Sequence, residues 1–194
     1  MKKLLITTLA LASFSFMNAQ EEGIRFGAKA GVNIANLTGD DADDLDSKIG
    51  FHVGAVVEIP ISDVFAFQPE LLYSTQGAKF EFSDGLEKLE SKAKYNYLNI
   101  PLMAKFYVAE GFSLQAGPQI GILLSADIER ERSFDVKDET KTIDFGINFG
   151  AGYQLESGIF FDARYNLGLT TTDDTDFDGD VKNVVFQISL GYKF

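Results

Sequence analysis

The chain has 194 residues, 17 Lys and Arg against 29 Asp and Glu, a formal net charge of −12, and 45% hydrophobic residues. That charge leaves no basic face for phosphate and argues against nucleic acid as a partner. With no cysteine in the chain, disulfides, thiolate metal sites and lipid attachment through cysteine are excluded.

The chain begins "MKKLLITTLALASFSFMNAQ": two lysines, an apolar run from Leu4 to about Met17, and a small residue, Ala19, before Gln20. This is the pattern of a secretory signal peptide over residues 1–19. The run is too short, and too broken by Ser and Thr, for a spanning helix of roughly 20 residues. Cleavage there leaves residues 20–194 as one domain, with Lys2 and Lys3 gone and the charge at −14.

Eight segments follow in which apolar residues occupy every second position, the period of a β-strand. In the first, Ile24, Phe26, Ala28, Ala30, Val32 and Ile34 oppose Arg25, Gly27, Lys29, Gly31, Asn33 and Ala35. In the second, Ile49 to Ile59 place Phe51, Val53, Ala55 and Val57 against His52, Gly54, Val56 and Glu58. The third, from Phe65, sets Phe67, Pro69, Leu71 and Tyr73 against Gln68, Glu70 and Leu72. The fourth, Tyr97 to Val108, sets Leu98, Ile100, Leu102, Ala104 and Phe106 against Asn99, Met103 and Lys105. Phe112 to Ala126, Ile143 to Leu155, Ile159 to Leu169 and the terminal "NVVFQISLGYKF" complete the set.

The links alternate too. Short turns at 60–63, 109–111 and 156–158 separate long charged stretches near 38–48, 79–94, 127–142 and 170–182. The prediction is an all-β, eight-stranded antiparallel up-and-down transmembrane β-barrel, with its first and last strands paired so that no edge meets hydrocarbon. A soluble eight-stranded barrel is the rival. It would turn its apolar face inward and a charged face outward, yet the polar face here is rich in Gly, Asn, Gln and Ser. Its ionisable groups, besides His52, are Arg25, Lys29, Glu58, Glu70, Lys105, Asp144, Asp162, Arg164 and Lys193, five positive and four negative. Facing lipid, Lys29 or Arg164 would each cost roughly 2–4 kcal/mol. The apolar stripes therefore face out, and the charges are expected to pair inside, Arg25 with Glu58 or Lys29 with Glu70. Pro69, Pro101 and Pro118 interrupt strand patterns, and bulges are expected there.

In "DDTDFDGD", Asp174, Asp176 and Asp178 before Gly179 match the first half of an EF-hand calcium loop. The twelfth position is Val185 rather than Glu, which leaves either an open, weak Ca2+ site or two solvated acidic loops, the other carrying Asp40, Asp41, Asp43, Asp44 and Asp46. No other cofactor is implied. His52, the single histidine, lies near Asp46 and Ser47 in sequence. An interior hydrogen-bonded histidine outweighs a catalytic one, and no enzyme activity is expected.

The segments "FQPELLYSTQG", "YLNIPLMAKFY", "LQAGPQIGILLSA", "FGAGYQLESGIFFDARYNLGLTT" and "ISLGYKF" together resemble the PorT-like outer-membrane β-barrel family. The resemblance implies an outer-membrane location and contact with lipid and lipopolysaccharide. It also implies that the C-terminal Tyr192 and Phe194 are read by the barrel-assembly machinery, beside their part in an aromatic girdle. Asn99 stands where an acidic residue is frequent in that family. Expected functions are a structural or interaction role, through surface loops or a periplasmic rim facing a surface or secretion-system protein, or a narrow barrel for ions or small solutes.

Overall fold

The computed structural model describes residues 23–39, 45–83, 88–129, 133–137, 140–171 and 181–194. The expected leader, 1–19, lies outside them. Ten strands run in chain order: β1 (Arg25–Thr38), β2 (Leu45–Ser62), β3 (Phe65–Gln76), β4 (Ala78–Ser83), β5 (Lys88–Ala109), β6 (Phe112–Glu129), β7 (Ser133–Asp135), β8 (Ile143–Gln154), β9 (Ile159–Thr171) and β10 (Lys182–Lys193).

Eight of them close a ring. β1 pairs antiparallel with β2, β2 with β3, β3 with β5, β5 with β6, β6 with β8, β8 with β9, and β9 with β10. The seam is β1 on β10, paired without interruption from Gly27–Lys193 to Thr38–Lys182. Closure of this kind satisfies every strand edge internally, the condition for crossing hydrocarbon. One end of the ring carries Gly23, Phe194 and the short turns; at the other, the strands run into the long connections.

Alternation is kept around the ring. On β10 and at Phe194 just past it, Val184, Phe186, Ile188, Leu190, Tyr192 and Phe194 lie outward while Asn183, Gln187, Ser189 and Lys193 are buried. Outward apolar residues form a belt that includes Ile49, Val53, Leu71, Phe106, Leu114, Phe149, Phe161, Tyr165 and Ile188. The interior holds the charges. An inside-out distribution of this sort fits lipid outside and a polar filling within.

Two expectations are corrected. The charged stretch 79–94 is not a plain loop: β4 pairs with β2 from Ser47–Ala78 to Leu45–Phe80 and with β5 from Lys79–Lys92 to Ser83–Lys88. "AKFEFS" (78–83) alternates small or aromatic residues with Lys, Glu and Ser, a two-residue period hidden by its charge. This arm extends the wall beyond the apolar belt.

The prolines do not sit in bulges. Pro69 faces Leu102, Pro101 faces Gln119 and Pro118 faces Ile147 in constant register. Rungs are lost instead. The β2–β3 ladder skips from Val56–Glu70 to Ile59–Phe67, the β3–β5 ladder from Pro69–Leu102 to Leu72–Asn99, and the β5–β6 ladder from Pro101–Gln119 to Ala104–Ala116. Each gap contains one proline. A missing N–H deletes a bond, but the extended backbone accepts the ring without an inserted residue. Register shifts in β2 and β5 fall elsewhere, between Pro60 and Ser62, Asn96 and Tyr97, and Tyr107 and Ala109.

Candidate functional site

At mid-depth the inward side chains of β1, β3, β6 and β9 meet. Arg164 on β9 donates from Nη1 to Glu70 Oε2 at 2.8 Å and from Nη2 to Glu70 Oε1 at 2.7 Å. β3 and β9 are diametrically placed in the ring, so this two-pronged bond crosses the lumen. The planar guanidinium fork suits a carboxylate in a way an ammonium does not. Arg164 Nη2 also donates to Gln115 Oε1 at 2.7 Å and Asp162 Oδ2 at 3.1 Å. Lys29 Nζ lies 2.7 Å from Glu70 Oε2 and 3.8 Å from Asp162 Oδ2; the Glu70 contact is ionic, off the hydrogen-bond axis. Two cations meet two carboxylates, and all four side chains are at most 1% exposed. The cluster is neutral and closed to solvent.

A second cluster lies toward the turn end. Glu58 on β2 accepts from Lys105 Nζ at 2.8 Å, from Tyr107 Oη at 2.8 Å and from Lys193 Nζ. Arg25 is further off, Nη1 to Oε1 at 3.7 Å, with half its side chain exposed. Lys193 Nζ also donates to Gln154 Oε1 at 3.0 Å and sits 4.7 Å from the centre of the Phe160 ring. Phe160 is buried inside the barrel because Gly191 leaves it room: a Cβ there would lie 2.2 Å from Phe160 Cζ. Below the cluster opens a cavity of about 1050 Å³ at the turn-end mouth.

His52 is fully buried above the neutral cluster, over Gly31, where a Cβ would meet its ring at 2.6 Å. Its Nδ1 is 2.7 Å from Asn33 Oδ1 and its Nε2 2.8 Å from Ser189 Oγ. Asn33 Nδ2 faces the carbonyl oxygens of Phe51 and Thr75, which fixes the amide orientation and gives Nδ1 the proton it donates to Oδ1. Nε2 then accepts from the Ser189 hydroxyl. Ser, His and Asn in this order have the spacing of a nucleophile, base and orienting group. Ser189 is 2% exposed and Asn33 0%, so the group acts as a strut joining β1, β2 and β10. Asp46 and Ser47 are exposed on β2 and take no part in it.

Asp144 is apart from both ion clusters. It accepts from Thr170 Oγ1 at 2.6 Å and from Asn183 Nδ2 at 3.4 Å. Tyr192 and Phe194 point outward at the turn end, with ring centres 6.4 Å apart. Asp174, Asp176 and Asp178 lie outside the described residues, among which no group of three or more His, Asp or Glu is placed to hold a metal.

The charged lumen residues could be chosen by parity and charge. Tyr107, Gln115, Gln154 and Phe160 share that parity but carry no charge to mark them. Their role depends on which strands face each other across the ring.

The sequence matches the family model described as outer membrane protein beta-barrel domain over residues 18–174. No curated relative matches it. Among solved structures, Neisserial surface protein A superposes with a TM-score of 0.60 at 15% identity, covering 89% of this chain and 100% of that one. Ail, the attachment invasion locus protein of Yersinia pestis, solved in complex with the heparin analogue sucrose octasulfate, gives 0.50 at 16% identity over 88% of this chain and 99% of its own. These likenesses show the fold. Together with the closed ring, the apolar belt and the internal charges, the family match establishes that the chain belongs to the outer membrane protein β-barrel domain family and resides in the outer membrane.

Proposed function

We propose that this protein is a non-conducting structural or interaction barrel, presenting its surface loops and periplasmic rim to partners. The observation that carries this is the Arg164–Glu70 bridge across the lumen, with Lys29, Asp162 and Gln115 around it and no solvent-exposed member. Eight strands enclose little more than their own side chains, and here those side chains are bonded to one another. The buried Ser189–His52–Asn33 strut supports a non-enzymatic reading.

The narrower PorT-like resemblance favours a secretion-linked partner at the periplasmic rim. In this reading residues 1–19 direct export, 20–194 form the barrel domain, and Tyr192 with Phe194 guide assembly beside lipid and lipopolysaccharide. Ail was solved with a sulfated sugar analogue; the stretches 38–48 and 170–182 each carry five aspartates and one lysine here, and would repel such a polyanion. A surface partner for this chain is therefore neutral or basic.

Planar-bilayer recording tests the reading. Purified folded barrel should give no stable unitary currents. Reproducible steps would replace it with the alternative, a narrow path for ions or small solutes.

A further inference from the structure

We propose that the periplasmic vestibule binds the carboxylate end of a short peptide that also carries a cationic group. This rests on the interaction reading and gives its periplasmic side a ligand chemistry.

The vestibule of about 1050 Å³ is lined by Arg25, Glu58, Tyr107, Gln154 and Lys193 at its floor. That volume is at the upper end of the range of small-ligand sites. Among the described residues Glu58 is the one carboxylate paired with Arg25, Lys105 and Lys193, so basic side chains outnumber acidic ones at the floor, and the half-exposed Arg25 guanidinium keeps its charge. Lys193 and Glu58 are buried, whereas Arg25 is half exposed and, among the described residues, pairs with Glu58 alone at a long 3.7 Å. Its guanidinium fork is the group best suited to take a second carboxylate in two-pronged fashion.

The rim has the opposite sign. Asp63, Glu110 and Glu156, all exposed at the short turns, line the same cavity. A simple anion arriving from the periplasm is repelled by them before it reaches the floor. A ligand with a carboxylate at its tip and a cation a few bonds behind satisfies both layers. Ile24, Ile61 and Leu155 add apolar wall between them, as a small peptide side chain requires. The chemistry is shared by a free short peptide and by the C-terminus of a periplasmic protein.

The test is titration calorimetry on the folded full barrel in non-ionic detergent, with the tripeptide Lys-Ala-Ala, its C-terminal amide, and sodium acetate as probes. The free acid should bind, and the amide should bind about ten-fold more weakly or worse, the loss expected for a charge-assisted bond. Acetate should give no heat. Arg25→Gln should weaken the acid and erase the difference between acid and amide, a discrimination that mere loosening of the rim would leave intact. Glu110→Gln with Glu156→Gln should weaken Lys-Ala-Ala but not N-acetyl-Ala-Ala-Ala, which keeps the carboxylate and carries no cation. The same three residues placed at the C-terminus of a carrier protein distinguish the sources: retained binding identifies a protein end, and binding of the free tripeptide alone identifies a small peptide. Equal affinity for acid and amide, or no heat with the acid, overturns the proposal. Bilayer silence in the same preparation would then leave the non-conducting reading standing, whereas currents would sink that reading by itself.

Discussion

Arg164→Met is the perturbation that most directly probes the closed lumen. The arginine supplies four hydrogen bonds, two to Glu70 and one each to Gln115 and Asp162. Methionine fills most of the volume and supplies none. Lys29 is then left to face two carboxylates, 2.7 Å from Glu70 and 3.8 Å from Asp162, inside a space from which water is excluded. Removing one partner of a buried ion pair costs about 3–5 kcal/mol, because a charge is left without compensation. Side-chain exposures of at most 1% leave no reason to discount that figure for screening. The double variant Arg164→Met with Glu70→Leu restores the balance at one ammonium and one carboxylate, and should be more stable than either single variant. Urea unfolding in lipid vesicles, followed by far-ultraviolet circular dichroism since the chain has no tryptophan, measures all four forms. A cost below about 1 kcal/mol for Arg164→Met, within the range of screened surface pairs, would mean that water reaches the cluster and that the lumen is not sealed.

Three further outcomes are expected. In Gly152→Val a Cβ would lie 2.3 Å from Gln115 Nε2 and 2.4 Å from Asp162 Oδ1, forcing apart a 2.8 Å hydrogen bond; the same urea titration should show a loss of about 1–3 kcal/mol, and full tolerance would point to a wide channel. Deleting Phe194 should lower the fraction of chain inserted in the outer membrane without changing total synthesis; unchanged insertion would reduce its pairing with Tyr192 to a girdle contact. If Asp174, Asp176 and Asp178 hold calcium, millimolar Ca2+ should give heat by calorimetry that the triple Asp→Asn variant loses, and a flat titration with the parent protein would leave them as solvated charge.

Parity made the barrel legible. From Ile24 to Phe194 the two-residue period assigns Lys29, Glu70, Asp162, Arg164 and Lys193 to one face, and that face is the lumen. Lys29 and Glu70 meet as ion partners across β1 and β3. Arg164 reaching Glu70 was not legible, since it depends on β3 and β9 standing opposite each other, a property of ring closure rather than of either strand. Charge also misled. Lys79, Glu81 and Lys88 made the β4–β5 arm look like a loop, although strands beyond the apolar belt need no greasy face. The prolines differ for another reason: a lost donor does not require an inserted residue, and the ladder at Pro69, Pro101 and Pro118 gives up rungs while holding register.

The two lumen clusters differ in net charge, and their order along the axis bears on transport. From the loop end to the turn end, the lumen presents the neutral Lys29–Glu70–Asp162–Arg164 group and then the floor, where Arg25, Lys105 and Lys193 meet Glu58; the stretches 38–48 and 170–182, with five aspartates each, connect strands at the loop end. Aspartates at that density in the connecting sequence disfavour an anion. A cation is opposed at the floor, where Arg25, Lys105 and Lys193 face Glu58. A lumen that paired every charge locally would lack this asymmetry and could leak once a side chain moved. On the proposed non-conducting reading, opening the Arg164–Glu70 bridge alone gives neither sign of ion a continuous favourable path. Silence in a bilayer should therefore persist in Arg164→Met barrels that still fold, and give way only when the floor is changed as well.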